Sequence, residues 1–118
     1  MPPDGLIVFF GIGDIDRTHA FYGGLLGLRL WRDQGVCRIY EVAQGGFIGF
    51  CAHHPAVPRE ASPIITLVTE DVDRLYRRLV EAGVEVTAPP RENPRFRIYH
   101  FFALDPDGHK VEVQKFLD

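Results

Sequence analysis

Few features of this chain point to a cross-linked or membrane-embedded protein. Only two of the 118 residues are cysteines, Cys37 and Cys51, and each lies in an apolar run. A free cysteine packs like a small apolar side chain, and disulfides are rare in the cytoplasm. We therefore expect two buried free thiols. No apolar run approaches the about 20 residues of a membrane-spanning helix, and the first residues lack the basic segment of a secretory signal. These absences predict a cytoplasmic protein that does not bind membranes.

Charge of one sign is not concentrated anywhere in the sequence. The formal net charge is −3, and acidic and basic residues are interspersed. The absence of a basic stripe argues against nucleic acid as a partner, and the absence of an acidic tail argues against a disordered interaction segment. No serine, cysteine or lysine lies in a recognisable triad context. The glycines at 11 and 13 lack the spacing of a dinucleotide-binding loop.

The chain does contain an internal sequence repeat, which occurs twice. Asp-x-Asp-Arg occurs at 14–17 and again at 71–74, and a glycine follows each copy, Gly27 or Gly83, before a short strand-like run. Self-similarity over half a chain indicates two copies of one supersecondary unit. Two half-sheets side by side form a concave surface, where a small molecule would bind.

Each copy predicts the element order β-α-β-β-β, in an α+β fold. The first module (1–54) has a strand at 6–12, a helix at 15–26 that Asp14 caps, and strands at 28–32, 36–43 and 47–52. Residues 55–62, which include prolines, form a linker. The second module (63–118) has a strand at 64–69, a helix from Asp71 to about 82, and strands at 84–88, 96–104 and 110–116, with a loop at 89–94. We expect both modules to form one domain.

Two motifs identify a family resemblance. Asp14-Ile-Asp-Arg, Ala20-Phe-Tyr and Leu26-Gly-Leu resemble the opening of the vicinal oxygen chelate superfamily, and the stretch 102–114 (FALDPDGHKVEVQ) resembles its closing signature. This superfamily includes glyoxalase I, extradiol dioxygenases, fosfomycin-modifying enzymes and bleomycin-resistance proteins. The resemblance covers the whole chain and implies two βαβββ modules in a curled mixed sheet, with the helices outside and the cavity inside. It specifies the fold better than the activity.

The resemblance also implies where a metal would bind. Metal-using relatives carry a His or Gln in the first strand of each module and a Glu in the last strand of each. By counting, these positions are Ile7, Ile64, Gly49 (or Phe50) and Glu112. One carboxylate holds a divalent ion poorly, although His100 could supply another ligand. We therefore expect no metal and no cofactor, as in the bleomycin-resistance-like members.

Strand alternation then assigns side chains to the two faces of the sheet. The candidate ligand-binding residues on the cavity side are Phe9, Trp31, Phe47, Thr66, Tyr99, His100, Glu112 and Gln114. The residues expected to face the helices are Leu6, Val8, Phe10, Ile48, Phe50, Ile65, Leu67, Val111 and Val113. Adjacent strand residues face opposite ways, so either Tyr99 or His100 points inward, and the sequence does not say which. Each candidate also has a structural alternative: the phenylalanines could fill a core, Trp31 could lie in a dimer contact, Glu112 could be a surface acid, and His100 could be a packed histidine.

Three functions fit this sequence, and whether the protein is an enzyme stays open. The first is a glyoxalase/bleomycin-resistance-like protein that binds a small, partly aromatic molecule in an apolar cavity without metal. The second is a lyase, isomerase or dioxygenase of the same superfamily with a rearranged site. The third is an interaction module whose cavity is filled by its own side chains. For all three we expect a homodimer, since an open half-sheet gains by burying its edge and its apolar face.

Overall fold

Each half of the chain folds into a four-stranded mixed sheet. The computed structural model describes residues 2–118, and the chain divides into a first unit that ends at Pro58 and a second that begins at Arg59. The first unit contains β1 (Leu6–Gly11), α1 (Ile15–His19), β2 (Arg29–Asp33), β3 (Cys37–Ala43) and β4 (Gly46–Cys51). Its strand order is β1-β4-β3-β2, with β1 parallel to β4 and the other neighbours antiparallel.

The second unit repeats this topology. It contains β5 (Ile65–Val68), α2 (Val72–Glu81), β6 (Arg91–Asn93), β7 (Ile98–Leu104) and β8 (Lys110–Phe116), after a 3-10 turn at Arg59–Ala61. The strand order β5-β8-β7-β6 again has one parallel pair, β5 with β8. The predicted α+β class and the duplicated β-α-β-β-β order are confirmed. Neither helix is long and apolar enough to cross a membrane, within the part of the chain described.

The first helix changes its hydrogen bonding partway along. The α-helical turns of α1 continue as a π-helix at Ala20–Leu25, in which the Leu26 amide donates to the Phe21 carbonyl at 2.9 Å. Glycines at 23 and 24 lower the cost of departing from regular helix, because they carry no Cβ. The wider turn directs Phe21 and Tyr22 into the core, where Tyr22 is fully buried.

The two predicted helix caps differ. The carboxylate of Asp14 accepts hydrogen bonds from the amides of Asp16 and Arg17 at 2.9 and 3.1 Å. The side chain of Asp71 makes no such bond with α2. Its own amide instead donates to the hydroxyl of Thr69 at 3.1 Å. Asp14 is therefore a capping residue, and the expectation that Asp71 caps α2 in the same way is wrong.

The helix-facing core is as expected except at the start of β1. Phe10, Phe50 and the other predicted core residues are buried, and the Phe50 ring lies 4.3 Å from that of Tyr22. Leu6 and Val8, in contrast, are 66% and 44% exposed. The predicted burial of these two side chains is wrong: on this face of β1 only Phe10, near the end of the strand, is buried, with its ring centroid 6.0 Å from that of Phe50 on β4.

The predicted strand at 84–88 and the predicted loop at 89–94 are also wrong. Val86 makes one isolated bridge, to Ala103, and pairing with β7 resumes at β6. Pro89 and Pro90 lie between the two paired stretches and have no amide hydrogen to donate to a ladder. The edge strand is therefore split around the two prolines.

The two cysteines are not free thiols. Cys37 on β3 and Cys51 on β4 lie directly opposite each other in the antiparallel ladder, with their Cα atoms 4.1 Å apart, and their sulfur atoms form a disulfide. The sequence expectation of two separate buried thiols is wrong. It treated each apolar run by itself, whereas the pairing depends on the register between two strands.

Candidate ligand-binding cavity of the second unit

An open cavity of about 770 Å³ lies against the second sheet. It is on the face away from α2: Phe101 packs against Tyr76 of that helix, with ring centroids 5.4 Å apart, and its neighbours on β7 alternate to the other face. The lining residues are Ile64, Arg91, Glu92, Asn93, Pro94, Phe96, Ile98, His100, Phe102, Glu112, Gln114 and Phe116. A cavity of this volume suits a small organic molecule.

The carboxylate of Glu112 is the polar centre of this cavity. Its Oε2 lies 2.6 Å from Nδ1 of His100, and its Oε1 accepts a hydrogen bond from the hydroxyl of Thr66 at 2.9 Å. Thr66 on β5 is the register partner of Glu112 on β8, and this pairing places both side chains on one face. The two hydrogen bonds, which use both oxygens, hold the carboxylate in a defined orientation.

Gln114 completes the polar group. When its side-chain amide is turned so that the nitrogen faces Glu112, that nitrogen lies 3.1 Å from Oε2 and 3.2 Å from Oε1. This orientation is the favourable one, because a carboxylate accepts hydrogen bonds and an amide nitrogen donates them. Gln114 is also the register partner of His100 across β7 and β8.

Low solvent exposure makes the polar side chains of the cavity suitable contacts for a ligand. The side chains of His100 and Glu112 are only 11% and 12% exposed, while Phe96 and Phe116 on the same cavity are more than half exposed. Exposed apolar surface around a few convergent polar groups is typical of ligand sites. In this arrangement the carboxylate can bind a hydrogen-bond donor or a cationic group of a ligand, and the aromatic side chains can stack on a ring of the same ligand.

The structure resolves the choice between the two adjacent residues of β7. His100 lines the cavity, and Tyr99 lies on the opposite face, where its hydroxyl donates to Oδ1 of Asp73 on α2 at 2.5 Å. That hydrogen bond is the main cause of a raised pKa of Tyr99. Of the five candidates in this unit, His100, Glu112 and Gln114 line the cavity, Thr66 supports Glu112, and Tyr99 is not brought to it.

The three candidates in the first unit form an aromatic surface of their own. Trp31 and Phe47 stack with ring centroids 4.3 Å apart, and the Arg32 guanidinium lies 3.8 Å from the centroid of the Trp31 ring system. Phe9 is half exposed, and its ring lies so close over Gly49 that a Cβ there would collide with it. These side chains share the face away from the buried Phe50.

The donor set does not fit the metal that the family resemblance would place at Glu112. Of the equivalent positions, Ile64 lines the cavity with a hydrocarbon side chain, and Gly49 has no side chain and lies under the Phe9 ring. A stable divalent site needs several converging donors. In residues 2–118, three metal-ligating side chains converge at one place, which does not include Glu112.

Sequence reasoning missed several lining residues, including the aromatic ones. Phe102 faces Glu112 across the ladder, and Phe116 is two residues beyond Gln114 on β8. The signal was present: alternation continued from His100 and Gln114 reaches both rings. Arg91 and Asn93 could not be found in this way, because the predicted loop at 89–94 hid β6.

This fold and this cavity define a protein of the glyoxalase type. The model of the Glyoxalase/Bleomycin resistance protein/Dioxygenase superfamily matches residues 7–113, nearly the whole chain. The chain therefore belongs to this superfamily.

Individual relatives are more distant. The chain is 29% identical to the glutathione transferase FosA of Serratia marcescens, over 86% of this chain and 73% of that protein. It is similar in structure to TioX from Micromonospora sp. ML1, with a TM-score of 0.80, 19% identity, and 98% and 100% of the two chains covered. A glyoxalase/bleomycin resistance protein/dioxygenase from Nocardioides gives a TM-score of 0.74 at 18% identity, covering 100% of this chain and 85% of the other. At these identities the solved structures support the fold alone.

Proposed function

We propose that this protein binds a small, partly aromatic molecule in the cavity of the second unit, without a metal ion at Glu112. The ligand stacks on exposed aromatic rings and presents a hydrogen-bond donor or a cationic group to the carboxylate. The observation that carries the proposal is the carboxylate of Glu112, held by Thr66 and His100 at the base of an apolar cavity.

The chemistry of the cavity supports this class of ligand. Aromatic rings favour flat ligands, through stacking and edge contacts. A sheltered, oriented carboxylate is a specific partner for a positively charged or N–H group, since charge-assisted hydrogen bonds are the stronger ones. Arg91 at the same cavity provides a second contact, for a ligand that also carries a negative group.

The test is a thermal-shift screen followed by calorimetric titration of each hit. The panel contains aromatic amines, glycopeptides, adducts of α-keto aldehydes, and free glutathione. Glutathione is included because of the similarity to a glutathione transferase. We expect Glu112→Gln and Phe102→Ala each to weaken binding of a hit at least tenfold. Glu70→Gln is the matched control, because Glu70 is an exposed acid outside the lining.

Elemental analysis of the purified protein tests the metal-independent part. We expect no metal whose content depends on Glu112. A stoichiometric ion that is lost in Glu112→Gln contradicts the proposal, as does a set of hits whose affinities are the same in Glu112→Gln and in the wild type.

A second candidate function is proton transfer, and one observation favours it. Nδ1 of His100 lies 2.6 Å from Glu112, and a carboxylate at one ring nitrogen orients the imidazole and leaves the other nitrogen to exchange protons. Such a pair suits an isomerase or a lyase acting on a proton next to a carbonyl. For this function, His100→Gln abolishes turnover and leaves the affinity for the same compound within a few-fold. No turnover of any bound compound by the wild type favours binding alone.

A further inference from the structure

A second cluster of reactive side chains lies in the first unit, apart from the cavity. Sγ of Cys37, Sγ of Cys51 and a ring nitrogen of His53 all lie within 4.8 Å of one another. The cysteines are buried, whereas His53, two residues beyond the end of β4, is exposed. Thiolate sulfur and imidazole nitrogen are the donors that zinc prefers.

The distance between the two kinds of donor fits a tetrahedral ion. Sγ of Cys37 lies 3.6 Å from Nδ1 of His53. Zinc bonds of about 2.3 Å to sulfur and about 2.0 Å to nitrogen, at a tetrahedral angle, place the two donor atoms about 3.5 Å apart. The imidazole therefore already lies at the separation from one sulfur that a shared zinc ion requires.

The sulfur atoms cannot form a disulfide and bind a metal at the same time. In the bonded state their lone pairs belong to a neutral disulfide, which is a poor ligand, while thiolates are strong ones. Besides the disulfide, backbone hydrogen bonding links the two strand ends beside these cysteines: the Ala52 amide donates to the Val36 carbonyl at 2.8 Å. The same three residues can thus exist in two states, and the redox state selects between them.

We propose that reduction of the Cys37–Cys51 disulfide creates a Zn²⁺ site made by Cys37, Cys51 and His53. A dithiol reductant supplies two electrons and two protons: the S–S bond breaks, two thiols form, and the reductant leaves as its cyclic disulfide. Zn²⁺ then displaces both thiol protons to solvent and accepts two thiolates and one neutral imidazole. Three protein ligands leave the fourth tetrahedral position for water.

This site is distinct from the family metal positions, because none of Ile7, Gly49, Ile64 and Glu112 belongs to it. It also shares no residue with the proposed ligand cavity, because its residues belong to the first unit and the lining of the cavity belongs to the second. Its proposed roles are to store or sense zinc under reducing conditions and to fix the end of β4 there, as the disulfide does under oxidising conditions.

Zinc titration of the oxidised and reduced protein is the test. The protein is reduced with a dithiol, the reductant is removed under nitrogen, and Zn²⁺ is added in competition with a chromophoric chelator. We expect one zinc ion per chain in the reduced form and none in the oxidised form. Co²⁺ in place of zinc should give a near-ultraviolet thiolate charge-transfer band, and Mg²⁺ should not compete.

Two adjacent histidines provide a matched pair of variants. Both are exposed, and their rings lie 4.1 Å apart, so both variants are expected to fold. His53→Ala should weaken zinc binding at least tenfold, and His54→Ala should leave it within twofold. The double variant Cys37→Ser, Cys51→Ser should bind no zinc in either redox condition.

Several results overturn the proposal. These are no zinc in the reduced wild type, equal affinity in His53→Ala and wild type, or a loss in His54→Ala as large as in His53→Ala. If reduction unfolds the first unit, zinc must restore its circular dichroism spectrum, and failure to do so also overturns the proposal.

Discussion

At the scale of residues, polar side chains of this protein occur in two settings, at the cavity and in the buried core. Glu112 and His100 form a sheltered pair that faces a cavity. Tyr40, in contrast, is fully buried in the first unit, where its hydroxyl lies 2.6 Å from Nδ1 of His19. A buried tyrosine at such a contact has a structural role, because its phenolate would lose solvation.

Because Tyr40 is buried, we predict that the free energy of unfolding falls at alkaline pH. Burial raises the pKa of Tyr40 above its usual value of 10.0, an effect that nearby Arg38 partly offsets. The folded state then binds the phenolic proton more tightly than the unfolded state, so this contribution to stability is complete below pH 10 and is lost as the pH rises through the folded pKa.

Two measurements check this. Ultraviolet titration should show one tyrosine fewer ionising above pH 10 in Tyr40→Phe than in the wild type, while Tyr99, whose pKa is also raised, still ionises there in both proteins. Urea unfolding at pH 9 and pH 11 should show a smaller fall in the free energy of unfolding for Tyr40→Phe than for the wild type. Identical falls in both proteins would mean that Tyr40 does not contribute.

At the scale of elements, the two copies of Asp-x-Asp-Arg begin their helices in different ways. The Asp14 carboxylate satisfies two amides of α1, and the Asp71 side chain satisfies none of α2. The same sequence motif thus has two local structures, because the backbone at Asp71 turns differently and its amide bonds to Thr69 instead.

Alanine at each position should measure this difference. We expect Asp14→Ala to lower the free energy of unfolding by about 1 kcal/mol, the usual cost of losing a helix cap. Asp71→Ala should cost less than half as much, since it removes only a charge near the helix start. Urea denaturation of the two variants checks this, and equal losses would contradict the structural difference.

At the scale of the whole molecule, we propose that the protein is a homodimer formed through β1. This strand is an edge of its sheet, and Leu6 and Val8 are exposed along it. A second copy of the chain that covers this strand would bury its apolar side chains and satisfy its edge.

Sedimentation equilibrium of matched variants tests the dimer. Val8 and Val80 are both 44% exposed, but Val8 lies on β1 and Val80 on α2. We expect the wild type and Val80→Glu to sediment as dimers and Val8→Glu as a monomer, because a buried glutamate without a partner is costly. A wild type that is monomeric at all concentrations would refute the proposal.

The sequence alone determined the fold class, the duplicated element order and the position of Glu112 on a cavity face. The fold class and the element order follow from the repeated motif and the glycines after each helix. The cavity face of Glu112 follows instead from the family resemblance, which places this residue at a metal-ligand position, and alternation along β8 extends that assignment to its neighbours. Thr66, Glu112 and Gln114 were each predicted on the cavity face, although the contact between Thr66 and Glu112 depends on the register of β5 and β8.

Only the tertiary structure decided which face His100 and Tyr99 occupy, how the edge strand is divided around Pro89 and Pro90, and that Cys37 lies opposite Cys51. Each of these depends on the register between strands that are distant along the chain. A shift of one residue moves every side chain to the other face, so contacts between strands cannot be deduced from either strand by itself.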